Sequence, residues 1–154
     1  MSGRAAQIVR AAAGHAPSWA RIRAALWPDA SVADHHDDIA DMMANEEGDL
    51  AAFVVLDDRG DAIALVEASL RRDYVNGCDT SPVVFVEGLY VTPAVRHEGI
   101  AKALIDAVAI WGQAMGCTEM ASDADIGNLA SHAFHRAAGF VETERVVYFR
   151  KALD

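Results

Sequence analysis

From Ile100 onward, apolar residues recur at spacings of three and four: Ile100, Leu104, Val108, Trp111 and Met115. That spacing aligns one face of an α-helix, so a long amphipathic helix is expected from Gly99 to Gly116, with Gly116 as its C-terminal stop. The segment before it has a different pattern. Val83 to Val91 is apolar at nearly every position, as a strand buried on both faces would be. Leu50–Leu56 and Ala62–Leu70 are two further apolar runs, and Asp57-Asp58-Arg59-Gly60 between them predicts a hairpin. Gln7–Ala12 reads as a first strand. Pro17 suits the first turn of a helix that runs to Leu26, and Trp27-Pro28-Asp29 breaks it. A second helix is expected over about Ala33–Asn45, with Ile39, Met42 and Met43 facing inward. After the long helix, Cys117–Ser122 reads as a strand and Asn128–Ala138 as a helix stopped by Gly139. Val141–Arg150 reads as a final β segment. The order β-α-α-β-β-β-α-β-α-β predicts an α/β fold, a mixed sheet with helices on both faces.

Composition bounds this picture. The chain has 154 residues, the size of one domain with one core, and 53% of them are hydrophobic. No window approaches the roughly 18 apolar residues of a membrane span. Met1–Pro28 is rich in arginine and alanine and contains no acid, as a transit peptide would be. Ile8-Val9 and the Trp19, Ile22, Leu26 face read better as structure, so the cytoplasm is the expected compartment. Cys78 and Cys117 lack metal-ligand spacing and are expected as reduced thiols. The formal charge of −10 argues against nucleic acid or an anionic membrane as partner. Much of the acid lies between Asp29 and Asp49, a stretch without lysine or arginine. That stretch is either a solvated helix face or a negative rim that attracts a polycation, and charge alone does not choose. His35-His36 beside Asp37-Asp38 is not expected to hold a metal, because adjacent helix residues do not converge on one ion.

The segment Arg96-His97-Glu98-Gly99-Ile100-Ala101 sits where the strongest strand hands over to the strongest helix. The first N–H groups of a helix have no intrahelical partner, and the macrodipole adds partial positive charge there. A phosphate satisfies both. Gly99 lets the backbone approach closely, while Arg96 and Lys102 add charge. Taken alone, so short a pattern also fits a plain helix start.

With its context, Phe85–Leu104 resembles the acetyl-CoA motif of the GNAT N-acetyltransferase superfamily, and Asn128 with Gly139-Phe140 resembles its second motif. Longer strings resemble aminoglycoside 6′-N-acetyltransferases: Leu26-Trp27-Pro28, Asp73–Asp79, Ser81–Phe85, Glu87-Gly88, Met120–Asp123 and Glu142–Arg145. The likeness runs from about Ile8 to Leu153. It implies acetyl-CoA as cosubstrate, a cationic aminoglycoside as acceptor, and a homodimer; the β-rich Arg145–Arg150 segment suits pairing across subunits. It implies that the pantetheine arm pairs with the strand edge Leu89, Tyr90 and Val91, a form of β-augmentation. The pyrophosphate is then expected on amides from His97 through Glu98, Gly99, Ile100 and Ala101 to Lys102, with Arg96 beside it. Asn128 is expected on the pantetheine arm. The acceptor is expected to meet Trp27, Tyr74, Glu87, Asp123 and Glu144.

Acetyl transfer to an amine needs a neutral amine, close approach, a donor for the carbonyl oxygen and a proton for the leaving thiolate. Glu87 is a lone acid inside an apolar run, costly unless it faces a cleft or pairs with an arginine. It and Asp123, at the end of the next strand, are the expected catalytic carboxylates that hold the ammonium and take its proton. Asp123 also fits a helix cap, and Glu144 an exposed strand acid. The oxyanion donor is expected among the backbone N–H groups of Leu89–Val91. Many superfamily members carry a tyrosine as thiolate acid four residues before the Gly-Phe pair, where this chain has His135. His135, Tyr148 or no dedicated acid all fit. Trp27 and Tyr74 suit stacking on sugar rings, although Trp27 also suits a core anchor. Two other readings share the loop: transfer to a polyamine, metabolite amine or protein N-terminus, and a CoA-binding module without turnover.

Overall fold

The computed structural model describes residues 7–154. Five strands form one sheet: β1 (Ile8–Arg10), β2 (Leu50–Leu56), β3 (Ala62–Arg71), β4 (Val83–Val91) and β5 (Met120–Ser122). They lie side by side in chain order. The first three pairings are antiparallel and β4–β5 is parallel. The parallel pair is joined through the long amphipathic helix α3 (Ile100–Ala114), as parallel strands require a crossover. Helices α1 (Ala16–Leu26), α2 (Val32–Ala44) and α4 (Leu129–Ala137) complete the order.

Side-chain alternation along the strands gives each face of the sheet its own core. Ala64, Val66, Ala68, Val84 and Val86 face α3 and meet Ile100, Leu104, Ile105 and Val108. Ala52, Val54 and Leu65 point to the other side and meet Trp19, Ile22 and Ile39 of α1 and α2. Helices therefore cover both faces of the mixed sheet, as expected. At Gly112, a Cβ would fall 2.7 Å from a methyl of Val84, so the glycine lets α3 settle onto β4.

The last expected strand is absent. Residues 141–150 form no strand; they carry neither helix nor strand and are exposed throughout. A strand needs a neighbour to take its backbone groups, and none of the described residues pairs with this segment. Its first residues are nevertheless anchored. A Cβ on Gly77 would fall 2.2 Å from the Thr143 hydroxyl, and Glu142 pairs with Arg145 and Arg136. Beyond that point Val146, Val147, Tyr148 and Phe149 stand exposed. The strand expected over Cys117–Ser122 is also shorter, because only Met120, Ala121 and Ser122 reach β4.

Candidate active site

β4 and β5 pair at Val84–Met120, Phe85–Ala121 and Val86–Ser122, and there the pairing ends. β4 continues to Val91 bonded only to β3, so its other edge is free. A cleft of about 990 Å³ opens at the divergence. Its walls are the Glu87–Val91 edge, the end of β5 from Ser122 to Asp125, the start of α3, and a face of α4.

The loop at the mouth is shaped by backbone conformation. Gly99 is the N-cap of α3 in the left-handed region, φ 81°, and no side chain caps the helix. Nothing lies within 4 Å of where a Gly99 side chain would stand, so the backbone and not crowding demands glycine. His97, φ 67°, also adopts the left-handed region. The uncapped first turn of α3 thus presents amides and the positive dipole end to the cleft. Arg96 stands beside it. Its Nε donates to the Val91 carbonyl at 2.8 Å, and its guanidinium lies 5.5 Å from the Tyr90 ring centre. Arg96, His97, Gly99, Ile100, Ala101 and Lys102 border the cleft with Leu89, Tyr90 and Val91; Glu98 does not. Lys102 turns along its helix to Asp106, at 3.3 Å. Asn128 borders the cleft too, and its side chain accepts from the Ser131 N–H at the start of α4.

The two expected catalytic carboxylates differ in setting. The register of β3 against β4 slips between Glu67–Gly88 and Ala68–Val86, leaving Glu87 as the extra residue of a β-bulge. Val84 and Val86 face α3, and so do Leu89 and Val91, so alternation shifts by one across the bulge. Glu87 accepts from Ser69 Oγ and from Arg71, whose guanidinium carbon lies 3.5 Å from the Phe85 ring centre. The arginine pairing weighed for this acid is therefore present, while Glu87 still borders the cleft. Asp123 also borders it and is exposed, with no hydrogen-bond or ion-pair partner among the described residues. It does not cap α4, because Asn128 does.

Trp27 ends α1 and lies on the sheet at Gly88, where a Cβ would fall 2.5 Å from the indole. A buried polar cluster holds it from behind. Arg23 lies 4.9 Å from the Trp27 ring centre and bonds Glu67, Asp38 and His35. Trp19 Nε1 donates to the other Glu67 oxygen at 2.9 Å. His35 stands 3.0 Å from the Trp27 carbonyl through Nε2 and 3.2 Å from Arg23 Nε through Nδ1. A carbonyl only accepts and a guanidinium only donates, so His35 is the neutral Nε2–H tautomer. A second cavity of about 690 Å³ lies over this cluster, bordered by Trp27, Asp38, Asp41, Glu67 and Glu87. It shares Trp27 and Glu87 with the cleft.

Tyr74 and Glu144 do not border either cavity. The loop carrying Tyr74 and the segment carrying Glu144 meet each other at Gly77 and Thr143. Tyr148 is 86% exposed and stands outside the cleft, whereas His135 lies within it. His135 Nδ1 is 2.7 Å from the Ser131 carbonyl and Nε2 is 2.8 Å from Ser122 Oγ. Phe134 and Phe140 meet the ring edge-on. Ser122, Arg71 and the Arg23–His35–Glu67 cluster escaped the sequence reading. Glu67, an acid amid Leu65, Val66 and Ala68, carried a signal; Ser122 and Arg71 carried none, since their partners are distant in the chain. Among the described residues no group of three or more His, Cys, Asp or Glu is placed to hold a metal, and no helix is long and apolar enough to cross a membrane.

A splayed parallel strand pair with an uncapped helix N-terminus at its mouth offers a site for an anionic group beside a free strand edge for an extended chain. The chain belongs to the acetyltransferase (GNAT) family, whose model matches residues 17–140. Among curated proteins it is 43% identical to an aminoglycoside N(6′)-acetyltransferase type 1 of Stenotrophomonas maltophilia, covering 100% of this chain and 98% of that one. It is 48% identical to the protein of the same name from Salmonella typhimurium, over 89% of this chain and 92% of that one. A solved structure of AAC(6′)-Iy with the bisubstrate analogue CoA-S-monomethyl-acetylneamine superposes with a TM-score of 0.90 at 43% identity, covering 97% of this chain and 100% of that one.

Proposed function

We propose that this protein transfers the acetyl group of acetyl-CoA to the 6′-amine of an aminoglycoside, by direct attack of the amine on the thioester. The observation that carries the chemistry is the cleft at the β4–β5 divergence, with a free strand edge, an uncapped helix N-terminus and the carboxylates of Glu87 and Asp123 on its border. Support for the acceptor comes from the curated relatives named for this reaction and from the bisubstrate complex of AAC(6′)-Iy.

In this reading the pyrophosphate lies on the first-turn amides of α3 beside Arg96, and the pantetheine arm pairs with Leu89–Val91 near Asn128. A backbone N–H of that edge stabilises the oxyanion. Asp123 and Glu87 draw the ammonium into the cleft and accept its proton. Trp27 supplies an apolar face for a sugar ring, and Asp38 and Asp41 in the adjoining cavity extend the negative surface toward the acceptor's other amines. The chain's −10 charge favours such a polycation and opposes nucleic acid. The reaction belongs to the cytoplasm, where acetyl-CoA is available. Acetylation removes a positive charge from the antibiotic, which weakens its hold on anionic targets.

A homodimer belongs to this proposal. The exposed apolar residues Val146, Val147, Tyr148 and Phe149 support it, since an isolated chain leaves them in water. Tyr74 and Glu144, outside their own chain's cleft, reach the acceptor in this reading only from a second copy. Light scattering of the full chain should give the mass of two copies, and a chain ending at Arg145 the mass of one.

The activity is tested by free-thiol release from acetyl-CoA with a 6′-amino aminoglycoside, its 6′-hydroxyl analogue and spermidine. Turnover with the first alone is expected. Turnover with spermidine alone would transfer the assignment to polyamines, and CoA binding without any turnover would make the protein a binding module.

A further inference from the structure

The proton supply for the leaving sulfur is built into the floor of the cleft. Ser122 and Val86 are the last paired residues before β4 and β5 part, so Ser122 stands at the vertex of the opening. The free edge of β4 starts there, and a thioester arm lying along that edge brings its acyl end to the vertex. Ser122 borders the cleft, and its hydroxyl lies 2.8 Å from His135 Nε2. The other ring nitrogen is committed, because Nδ1 stands 2.7 Å from the Ser131 carbonyl, which only accepts, so Nδ1 carries a proton.

Two states follow. With His135 neutral, Nε2 has a lone pair and Ser122 donates its proton to the ring. With His135 as imidazolium, Nε2–H donates to Ser122 Oγ, and the hydroxyl proton is free to point into the cleft. Phe134 and Phe140 hold the ring edge-on, so Nε2 stays aimed at Ser122 in both states. The charged groups nearest along the chain are Asp123 beside Ser122, and His132 and Arg136 on α4. His132 is engaged with the Asp125 carbonyl at 2.9 Å, and Arg136 is 3.9 Å from Glu142.

We infer that Ser122 is the catalytic acid for the CoA thiolate and that His135 is a positioning residue that resupplies its proton. The step rests on the acetyl-transfer reading above. The amine lone pair forms the C–N bond, and the C–S bond breaks with its electron pair on sulfur. The Ser122 hydroxyl proton passes to sulfur as Oγ takes the Nε2 proton of the imidazolium. His135 is left neutral, with Nδ1–H still on the Ser131 carbonyl. The surplus proton on the amide nitrogen leaves to Asp123 or water, and solvent returns one to His135.

The experiment compares wild type with Ser122→Ala, Ser122→Thr and His135→Gln in two measurements. In steady-state turnover, Ser122→Ala is expected to lower kcat by about a hundredfold with the KM for acetyl-CoA unchanged. Ser122→Thr, which keeps the hydroxyl, should restore most of it. In the second measurement, bound CoA is titrated by the ultraviolet absorbance of its thiolate, with no acceptor present. Donation from Ser122 stabilises the thiolate, so the bound thiol should ionise below free CoA in wild type and Ser122→Thr. It should ionise higher in Ser122→Ala and His135→Gln. Unchanged kcat and an unchanged thiol titration in Ser122→Ala would overturn the inference. Failure of wild type to turn over any amine would instead strike the acetyl-transfer reading, which the binding titration does not depend on.

Discussion

Arg71 Nη2 stands 2.9 Å from one Glu87 oxygen and 3.1 Å from the other, so a single amino group holds the bulge carboxylate by both arms. Side-chain exposures of 43% and 37% make this a surface pair, worth at most about 1 kcal/mol to stability. Its consequence is orientation: the carboxylate is fixed where the cleft and the adjoining cavity meet. Glu87→Gln retains an oxygen for Ser69 and Arg71 but loses the charge. It is expected to lower kcat/KM for the aminoglycoside about a hundredfold, with the KM for acetyl-CoA and the melting temperature unchanged. Steady-state kinetics in the acceptor decide it, and full activity would remove Glu87 from the chemistry.

Gly88 is the floor on which Trp27 rests, and a Cβ there would fall 2.5 Å from the indole. Gly88→Ala should therefore displace Trp27 while leaving the fold intact, at a stability cost of about 1–3 kcal/mol. Acceptor KM is expected to rise and tryptophan fluorescence to shift, with acetyl-CoA binding retained. Unaltered fluorescence together with unaltered acceptor KM would show that Trp27 has no part in holding the acceptor.

Glu67 and Arg23 form a buried pair, 5% and 8% exposed. Removing the Glu67 charge leaves the buried Arg23 only the exposed carboxylate of Asp38 as counter-charge, in a region of low dielectric. Glu67→Gln should cost about 3 kcal/mol in a urea denaturation. Arg23→Met in the same chain should recover part of that loss, because no lone buried charge remains. A double variant less stable than the sum of the single variants would contradict this account.

Glu119 accepts from Thr80 Oγ1, from the Thr80 N–H at 2.8 Å and from the Asp79 N–H at 2.9 Å. The Thr80 hydroxyl first, and the Asp79 amide next, hold its carboxyl below the ordinary glutamate value of 4.5. An acid depressed in the folded state contributes stability that is present above its unfolded value and lost as pH falls through the folded one. Below pH 4.5 the turn at Asp79-Thr80 is expected to loosen, and hydrogen exchange at those two amides, corrected for the intrinsic rate, should accelerate. Glu119→Gln should show the faster exchange already at neutral pH.

Local pattern was enough for much of this molecule. Apolar runs placed β2, β3 and β4, and helical spacing with proline and glycine stops placed α1, α2, α3 and α4, each to within a residue or two, because these signals are local to the segment. The phosphate-type loop was legible for the same reason: strand, glycine and helix are neighbours in the chain. The left-handed conformation of Gly99 came only with the structure. Tertiary structure alone decided what depends on register or on distant partners. The bulge that aims Glu87 is a slip between two strands, and no alternation within Val83–Val91 reveals it. Arg71 meets Glu87 across sixteen residues and Ser122 meets His135 across thirteen, so spacing along the chain carries no trace of either pair. Val141–Arg150 has the composition of a strand, but a strand exists only where another accepts its backbone hydrogen bonds, and that partner is not encoded in the segment itself.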